Sequence, residues 1–324
     1  MRSPRVSICI PTYCQIQYLK ETLISIRVQD FHDYEIIISD DSPDDAVEKL
    51  IASFNFGEKI KYYHNITPFG APGNWNRAVS LAEGDLVKLM HHDDKFENPS
   101  ALGSFVRLLD ESPKSDLAFS ATLVHHVNNN KKIIHRPNKK QYLKLNASPV
   151  ELFFGNLIGA PSAVIYRRGI DVEYDERMKW LVDVDFYIRF LKKNLNVVYT
   201  HDVLIVTTSG ANHQVTRSCE NNFDVEFFEY LLLYKKNINE LQGDARTKKV
   251  WFRLFEKYQT FSLIDVEQKS IKGEIVRGGV LDGFFEDYKK EWLWRFAYRM
   301  YLNLPTVVRN GFMLFRRLVK IWRN

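Results

Sequence analysis

Along the first ninety residues, apolar positions fall in short blocks separated by polar stretches. Residues 6–10, 34–39, 60–63 and 86–90 are near-continuous runs of aliphatic, aromatic and β-branched residues, the pattern of strands buried on both faces. Between them, residues 18–29 carry Leu19, Leu23 and Ile26 at helical spacing, and residues 44–54 and 73–82 also read as helices. Strand and helix in alternation predict an α/β chain with a Rossmann-like, doubly wound sheet, whose ligands belong at the carboxyl ends of the strands. Further strands are expected at 118–127, 162–166 and 197–200, with a helix over about 181–193. Residues 128–148 read as a basic, Asn-rich surface excursion. From Asn221 the pattern turns to helices rich in Phe, Tyr and Leu, such as 227–235 and 250–261, so a catalytic domain over 1–220 and a helical C-terminal region over 221–324 are expected.

Composition narrows the class. With 45% hydrophobic and 26% charged residues, the chain is an ordinary globular one, which excludes a disordered or fibrous protein. The formal charge of +5 invites an anionic partner, but its distribution changes that reading. Residues 128–148 carry six Lys or Arg and no acid, and residues 289–324 carry nine against one Glu. These two segments hold +14 of formal charge, so the other 267 residues stand at −9. Nucleic acid is therefore not expected as a partner, because acidic loops would repel its phosphates. Cys9, Cys14 and Cys219 show no paired spacing, which fits a reducing compartment and argues against a disulfide framework or a zinc site. Residues 6–10 are too short for a signal-peptide core, and basic residues interrupt the most hydrophobic region before it reaches the roughly 18 apolar residues of a membrane span.

The strand ends carry the chemistry. Pro11-Thr12-Tyr13 follows the first strand, Asp40-Asp41-Ser42 the second, and His91-His92-Asp93-Asp94 the strand at 86–90. Adjacent carboxylates at a strand end suit a hard divalent cation bridging to phosphate oxygens, although acids before Asn98-Pro99-Ser100 also suit a helix start. Asp40 and Asp41 suit hydrogen bonds to a base or ribose, or else a capped turn. There is no Gly-x-Gly-x-x-Gly and no Gly-Lys-Ser/Thr loop, which argues against dehydrogenase and P-loop chemistry.

The order of Val6-Ser7-Ile8-Cys9-Ile10-Pro11-Thr12-Tyr13, Ile38-Ser39-Asp40-Asp41-Ser42, Ala82-Glu83-Gly84-Asp85 and His92-Asp93-Asp94 resembles the nucleotide-sugar half of glycosyltransferase family 2. Pro161-Ser162-Ala163-Val164 and Val182-Asp183-Val184-Asp185-Phe186 resemble its acceptor half, and the likeness covers about residues 5–217. The resemblance implies a GT-A fold with a mainly parallel mixed sheet, split into a nucleotide-sugar half (1–98) and an acceptor half (99–220). It also implies a nucleoside-diphosphate sugar donor (a UDP-sugar foremost), a saccharide or lipid-linked acceptor, Mn2+ or Mg2+, and inversion at the anomeric carbon. By position, Pro11, Thr12, Tyr13, Asp40, Asp41, Asn76 and Asp93 would face the donor. Asp94, Asp93 and His213 would surround the metal, with His213 on a loop closing over the diphosphate. Asp183 would be the general base that takes the proton of the attacking acceptor hydroxyl. Trp180, Gly159 and Ser162 would line the acceptor side.

Several bland readings stand beside these roles. Asp183 also suits a helix N-terminus, Trp180 a core position and Asn76 a helix start. Asp185 competes with Asp183 but, two residues on in a helix, points about 200° away. Two positions depart from the family pattern: His91 stands where many members carry an acid, and Val182 replaces the acid that often precedes the base. Those departures support a second reading, a non-catalytic nucleotide-sugar-binding scaffold.

From Glu291 the polar positions Glu291, Arg295, Arg299 and Asn303 recur every four residues among Trp292, Trp294, Phe296 and Tyr298. After Pro305, Phe312, Phe315, Val319 and Trp322 oppose Arg309, Arg316, Lys320 and Arg323. A basic, aromatic tail of this period is expected to lie at a membrane surface, or else to pack on protein. The expected location is cytoplasmic, peripheral at the inner face of the membrane, in cell-surface polysaccharide synthesis.

Overall fold

The computed structural model describes residues 3–194, 196–211, 219, 221–269 and 279–302. The chain divides into two units, 1–242 and 243–324. The first contains β1 (Val6–Thr12), α1 (Ile16–Arg27), β2 (Tyr34–Asp40), α2 (Ala46–Ala52), β3 (Ile60–His64), α3 (Ala71–Ser80), β4 (Leu86–Leu89) and β5 (Lys95–Phe96). It continues with α4 (Ala101–Asp110), β6 (Leu117–His126), β7 (Lys131–His135), α5 (Lys139–Ala147), β8 (Val164–Arg167), α6 (Val182–Lys193), β9 (Val197–Ser209), α7 (Phe223–Lys236) and α8 (Ile238–Leu241).

One mixed sheet runs β3-β2-β1-β4-β8-β6-β9-β5, with β7 paired to β6. β3, β2, β1 and β4 are parallel, as the alternating pattern predicts, and β8 is antiparallel to both β4 and β6. Every residue of β1 and β2 is buried, which explains why these strands are continuous apolar runs and not alternating ones. Val6, Ile8 and Ile10 pack with Leu19, Leu23 and Ile26 of α1 and with Phe105 of α4. Each such side chain contributes about 1.5–3 kcal/mol by leaving water.

Polar groups on these strands are matched locally. Ser7 Oγ donates to Glu35 Oε1 (2.6 Å), which also accepts from the Glu83 amide (2.8 Å). Gly84 closes the arrangement, its amide donating to Ser7 Oγ, and a Cβ there would lie 2.7 Å from the Ser7 nitrogen. The Glu83-Gly84-Asp85 run is thus a packing requirement of the sheet.

Two segments differ from the sequence expectation. The basic stretch after β6 is on the surface but ordered, as β7 and then α5, whose start is fixed by reciprocal bonds between Asn138 and Gln141. Strand β9 runs to Ser209, past polar His201 and Asp202, because β6 pairs with it through an irregularity at Ser120–Thr122.

The second unit contains α9 (Ala245–Tyr258), α10 (Leu263–Lys269) and α11 (Asp282–Leu302). Trp251 and Phe255 are fully buried, and Phe255 stacks on Phe285 at 4.2 Å. Trp292 and Leu293 on α11 are exposed. The second part of the expected basic tail, after Pro305, lies outside the described residues, as does His213. Among the described residues, no helix is long and apolar enough to cross a membrane.

Candidate active site

The parallel register brings Thr12 opposite Asp40, so the ends of β1 and β2 finish side by side. There the acids serve the loops. Asp40 is fully buried; Oδ1 accepts from the Ser42 amide (2.9 Å) and Oδ2 from the Tyr62 hydroxyl (2.9 Å). Asp41 accepts from Asn65 Nδ2 (2.9 Å) and from the amides of Phe69 (3.2 Å) and Gly70 (2.9 Å), fixing the loop before α3. Buried Asn74 ties that helix to the Thr12 and Ser39 carbonyls. Asn76 is held by residue 174, donating to its carbonyl and accepting from its amide. Thr12 is buried, whereas Tyr13, just past the end of β1, is 56% exposed.

After β4 the chain turns through His91-His92-Asp93-Asp94, with the Asp94 amide donating to the His91 carbonyl (3.1 Å). Four segments hold the turn. Ser162 Oγ accepts from the His91 amide (2.9 Å), and Thr22 Oγ1 donates to the Asp94 carbonyl (2.6 Å). His92 Nδ1 lies 3.3 Å from the Pro11 carbonyl. On β9, Thr208 donates from its hydroxyl to the Asp93 carbonyl (2.8 Å) and from its amide to Asp94 Oδ1 (3.3 Å). The His91 ring rests on Trp75, with centroids 4.7 Å apart.

The electrostatics of this turn are those of a site short of positive charge. His91, Asp93 and Asp94 each present one ligand-type atom, all within 4.8 Å of one another. Burial, and then the Asp93 charge, push the Asp94 carboxyl well up, against a lowering influence from Ser162. Burial lowers His91 to about 4, so it is a neutral imidazole at pH 7. Among the described residues, His91 Nε2 and Asp94 Oδ2 are buried without a hydrogen-bond partner. A neutral imidazole with two carboxylates, two of their atoms unpartnered, is a donor set that fits a divalent cation.

Lys88 on β4 is fully buried near this turn. It donates to the Ser162 carbonyl and to the Val164 carbonyl (3.1 Å), lies 4.1 Å from the Phe105 ring centre, and is pushed well down by burial. It holds the backbone that carries Ser162 and, among the described residues, meets no carboxylate in a hydrogen bond.

The second part of the site is a cavity of about 400 Å³ lined by Gly159, Trp180 and Asp183 among others. Asp183 opens α6; Oδ1 accepts from the Val184 amide and Oδ2 from Asn156 Nδ2, both at 2.8 Å. Burial raises its carboxyl to about 7, against those hydrogen bonds and with help from the Glu229 charge. Such a value is suited to a group that takes a proton near neutral pH. Asp185 is the structural acid of the pair: it is buried and bonded to Arg189 (2.8 Å) and Lys236 (2.6 Å).

Glu229 of α7 is the residue that sequence reading missed. It is buried and accepts from the amides of Lys179 (2.6 Å), Trp180 (2.9 Å) and Leu181 (2.7 Å), which fixes the approach to α6 and so the placement of Asp183. An acid inside the apolar run Phe227-Phe228-Glu229-Tyr230-Leu231 was its one visible signal.

The turn and the cavity share walls. Thr207 lines the cavity while its neighbour Thr208 bonds the acidic turn. Gly159 and Ala160 line the cavity while Ser162, two residues on, bonds His91. Ser162 is fully buried and so stands behind the turn, not on the open acceptor face expected for it.

A sheet of this order, with an acidic turn at one strand end and a carboxylate poised near neutrality beyond it, is the architecture of a GT-A glycosyltransferase. The model of glycosyl transferase family 2 matches residues 7–174, and the chain belongs to that family. An uncharacterized glycosyltransferase of Rickettsia typhi is 25% identical over 63% of this chain and 63% of its own length. The abequosyltransferase RfbV of Salmonella typhimurium is 38% identical over 29% of this chain and 30% of its own. A Campylobacter jejuni GalNAc(5)-diNAcBac-PP-undecaprenol beta-1,3-glucosyltransferase is 33% identical over 28% of this chain and 30% of its own. These matches span less than two thirds of those relatives. Among solved structures, S. aureus TarS 1-349 in complex with UDP-GlcNAc superposes with a TM-score of 0.55 at 18% identity, covering 89% of this chain and 92% of that one.

Proposed function

We propose that the protein is an inverting, metal-dependent glycosyltransferase that moves a sugar from a UDP-sugar to a saccharide or lipid-linked saccharide acceptor. The observation that carries this reading is the carboxyl of Asp183, raised to about 7 on the wall of a cavity that shares β9 and the 159–162 segment with the acidic turn. UDP as the nucleotude carrier is supported by the TarS complex, and a lipid-linked acceptor by the undecaprenol-linked substrate in the name of the Campylobacter relative.

In this scheme His91, Asp93 and Asp94 would hold the divalent cation. A cation bound there would supply Lewis-acid neutralisation of the diphosphate leaving group, so no second acid would be needed. Tyr13 covers the nucleobase, and Asp40, Asp41 and Asn74 act by shaping the loops around it. Asn156 orients Asp183, which takes the proton of the acceptor hydroxyl as that oxygen attacks the anomeric carbon from the face opposite the diphosphate. One displacement inverts that carbon. His213 completing the metal shell, and the basic tail resting on the inner face of a membrane, belong to the same proposal.

The reading is tested by turnover of a UDP-sugar panel with manganese and a lipid-linked acceptor, following the anomeric configuration of the product by NMR. Inverted product is expected. Retained configuration, or donor binding with neither transfer nor hydrolysis, contradicts it.

A further inference from the structure

We propose that His135 and Thr122 form a recognition notch for a hydroxyl of a neutral acceptor sugar, set into the wall of the cavity that holds Asp183. The inference rests on reading that cavity as the acceptor side. Thr122 on β6 and His135 on β7 are paired directly across the strands, and both line the cavity. Among the described residues, Thr122 Oγ1 and His135 Nε2 are buried polar atoms without a hydrogen-bond partner. They look onto one spot. A Cβ added at Gly159 would lie 3.6 Å from His135 Nε2 and 3.8 Å from Thr122 Oγ1, and only 3.2 Å from His135 Cδ2.

A side chain at position 159 would crowd both residues, and the glycine φ of +102° is one that other residues rarely adopt. The Gly159 backbone is already satisfied: its amide donates to Asn156 Oδ1 (2.8 Å), and its carbonyl accepts from Asn156 Nδ2 and the Tyr187 hydroxyl (both 3.2 Å). The free hydrogen-bonding capacity therefore belongs to the two side chains. Asn156 also donates to Asp183, so a single side chain sets the notch and the carboxylate in register.

The chemistry of the notch selects its ligand. A threonine hydroxyl donates and accepts, and an imidazole nitrogen does one or the other according to tautomer. Burial lowers the His135 pKa, so the ring is uncharged near neutral pH. A sugar hydroxyl, which is both donor and acceptor, satisfies both atoms at once. Among the described residues lining the cavity, Asp183 is the one with a carboxyl or a basic side chain, and once ionised it repels an anionic sugar such as a uronate. A site that hydrogen-bonds a hydroxyl also rejects the analogue lacking it, because its buried polar atoms are then left unpaired.

Methyl β-glycosides of glucose, galactose, N-acetylglucosamine and glucuronic acid serve as probes of the full-length chain, by saturation-transfer NMR with UDP present. At least one neutral glycoside should bind the wild type and the glucuronide should not. Thr122→Val, which keeps the side-chain shape, and His135→Ala should each weaken that binding by about tenfold, with the thermal shift produced by UDP unchanged. The notch is overturned if no neutral glycoside binds the wild type, if the glucuronide binds as well as the neutral sugars, or if Thr122→Val binds as tightly as the wild type. Failure of UDP to stabilise the wild type would instead overturn the sugar-nucleotide reading, and the glycoside titrations would still decide the notch.

Discussion

The acidic turn after β4 and the cavity around Asp183 place carboxylates by opposite means. In the turn, His91, Asp93 and Asp94 are neighbours in sequence, and their proximity follows from one strand ending. In the cavity, Asp183 depends on Asn156 from a loop and on Glu229 from α7, and it faces β6 and β7. Burial raises the proton affinity of both acids, but in the turn a second carboxylate, Asp93, raises it further, whereas the cavity holds one carboxylate steadied by hydrogen bonds from Asn156 and the Val184 amide. A binding centre for a metal diphosphate can be local, because a cation tolerates many arrangements of oxygen ligands. A proton-transfer centre must hold one oxygen in one place, and several elements are needed to do so.

Two substitutions probe this contrast. Asp94→Asn removes charge from the turn without changing its shape, and it is expected to weaken manganese-dependent UDP binding by about a hundredfold in calorimetry. Binding without manganese should change little, and an unaltered manganese dependence would break the assignment of the turn as the metal site. Glu229→Gln tests the dispersed arrangement. It loses acceptor capacity toward three amides and one charge near Asp183. The expected result is a fall of about tenfold in kcat, with the acidic limb of the rate profile moved below its wild-type position because the Glu229 charge raises the Asp183 pKa. UDP binding should be unaffected. A drop in stability with no movement of that limb would leave Glu229 a purely structural cap.

The same contrast explains what the sequence made legible. The parallel half of the sheet and its helices follow from alternating apolar blocks, and Leu19, Leu23 and Ile26 are buried as their spacing predicts. The acidic turn was legible because its residues are contiguous. Asp183 emerged only through the order of family motifs, and its partners Asn156 and Glu229 lie 27 and 46 positions away, beyond any local period. Asp40 and Asp41 were legible as strand-end acids, but their internal hydrogen bonds depend on Tyr62, Asn65 and Gly70, which no spacing rule connects to them. The order in residues 128–148 was hidden by exposure: β7 has little apolar patterning to betray a strand. Only the Asn138 and Gln141 spacing marked the helix after it.

Asp183 as the base is the central claim, and the pH dependence of transfer under single-turnover conditions tests it most directly. An acid whose folded pKa is raised takes up its proton as pH falls through that value, so transfer should rise with pH through one ionisation near 7 and level off above it. The same sign makes the ionised carboxylate a cost to folding that grows between its unfolded pKa and about 7, so Asp183→Asn should raise Tm at pH 8 and leave it nearly unchanged at pH 4. In that variant transfer should fall by about 10²–10⁴ and lose the ionisation near 7, with UDP binding intact. A folded Asp183→Asn protein that transfers at the wild-type rate with the wild-type pH profile would contradict the account.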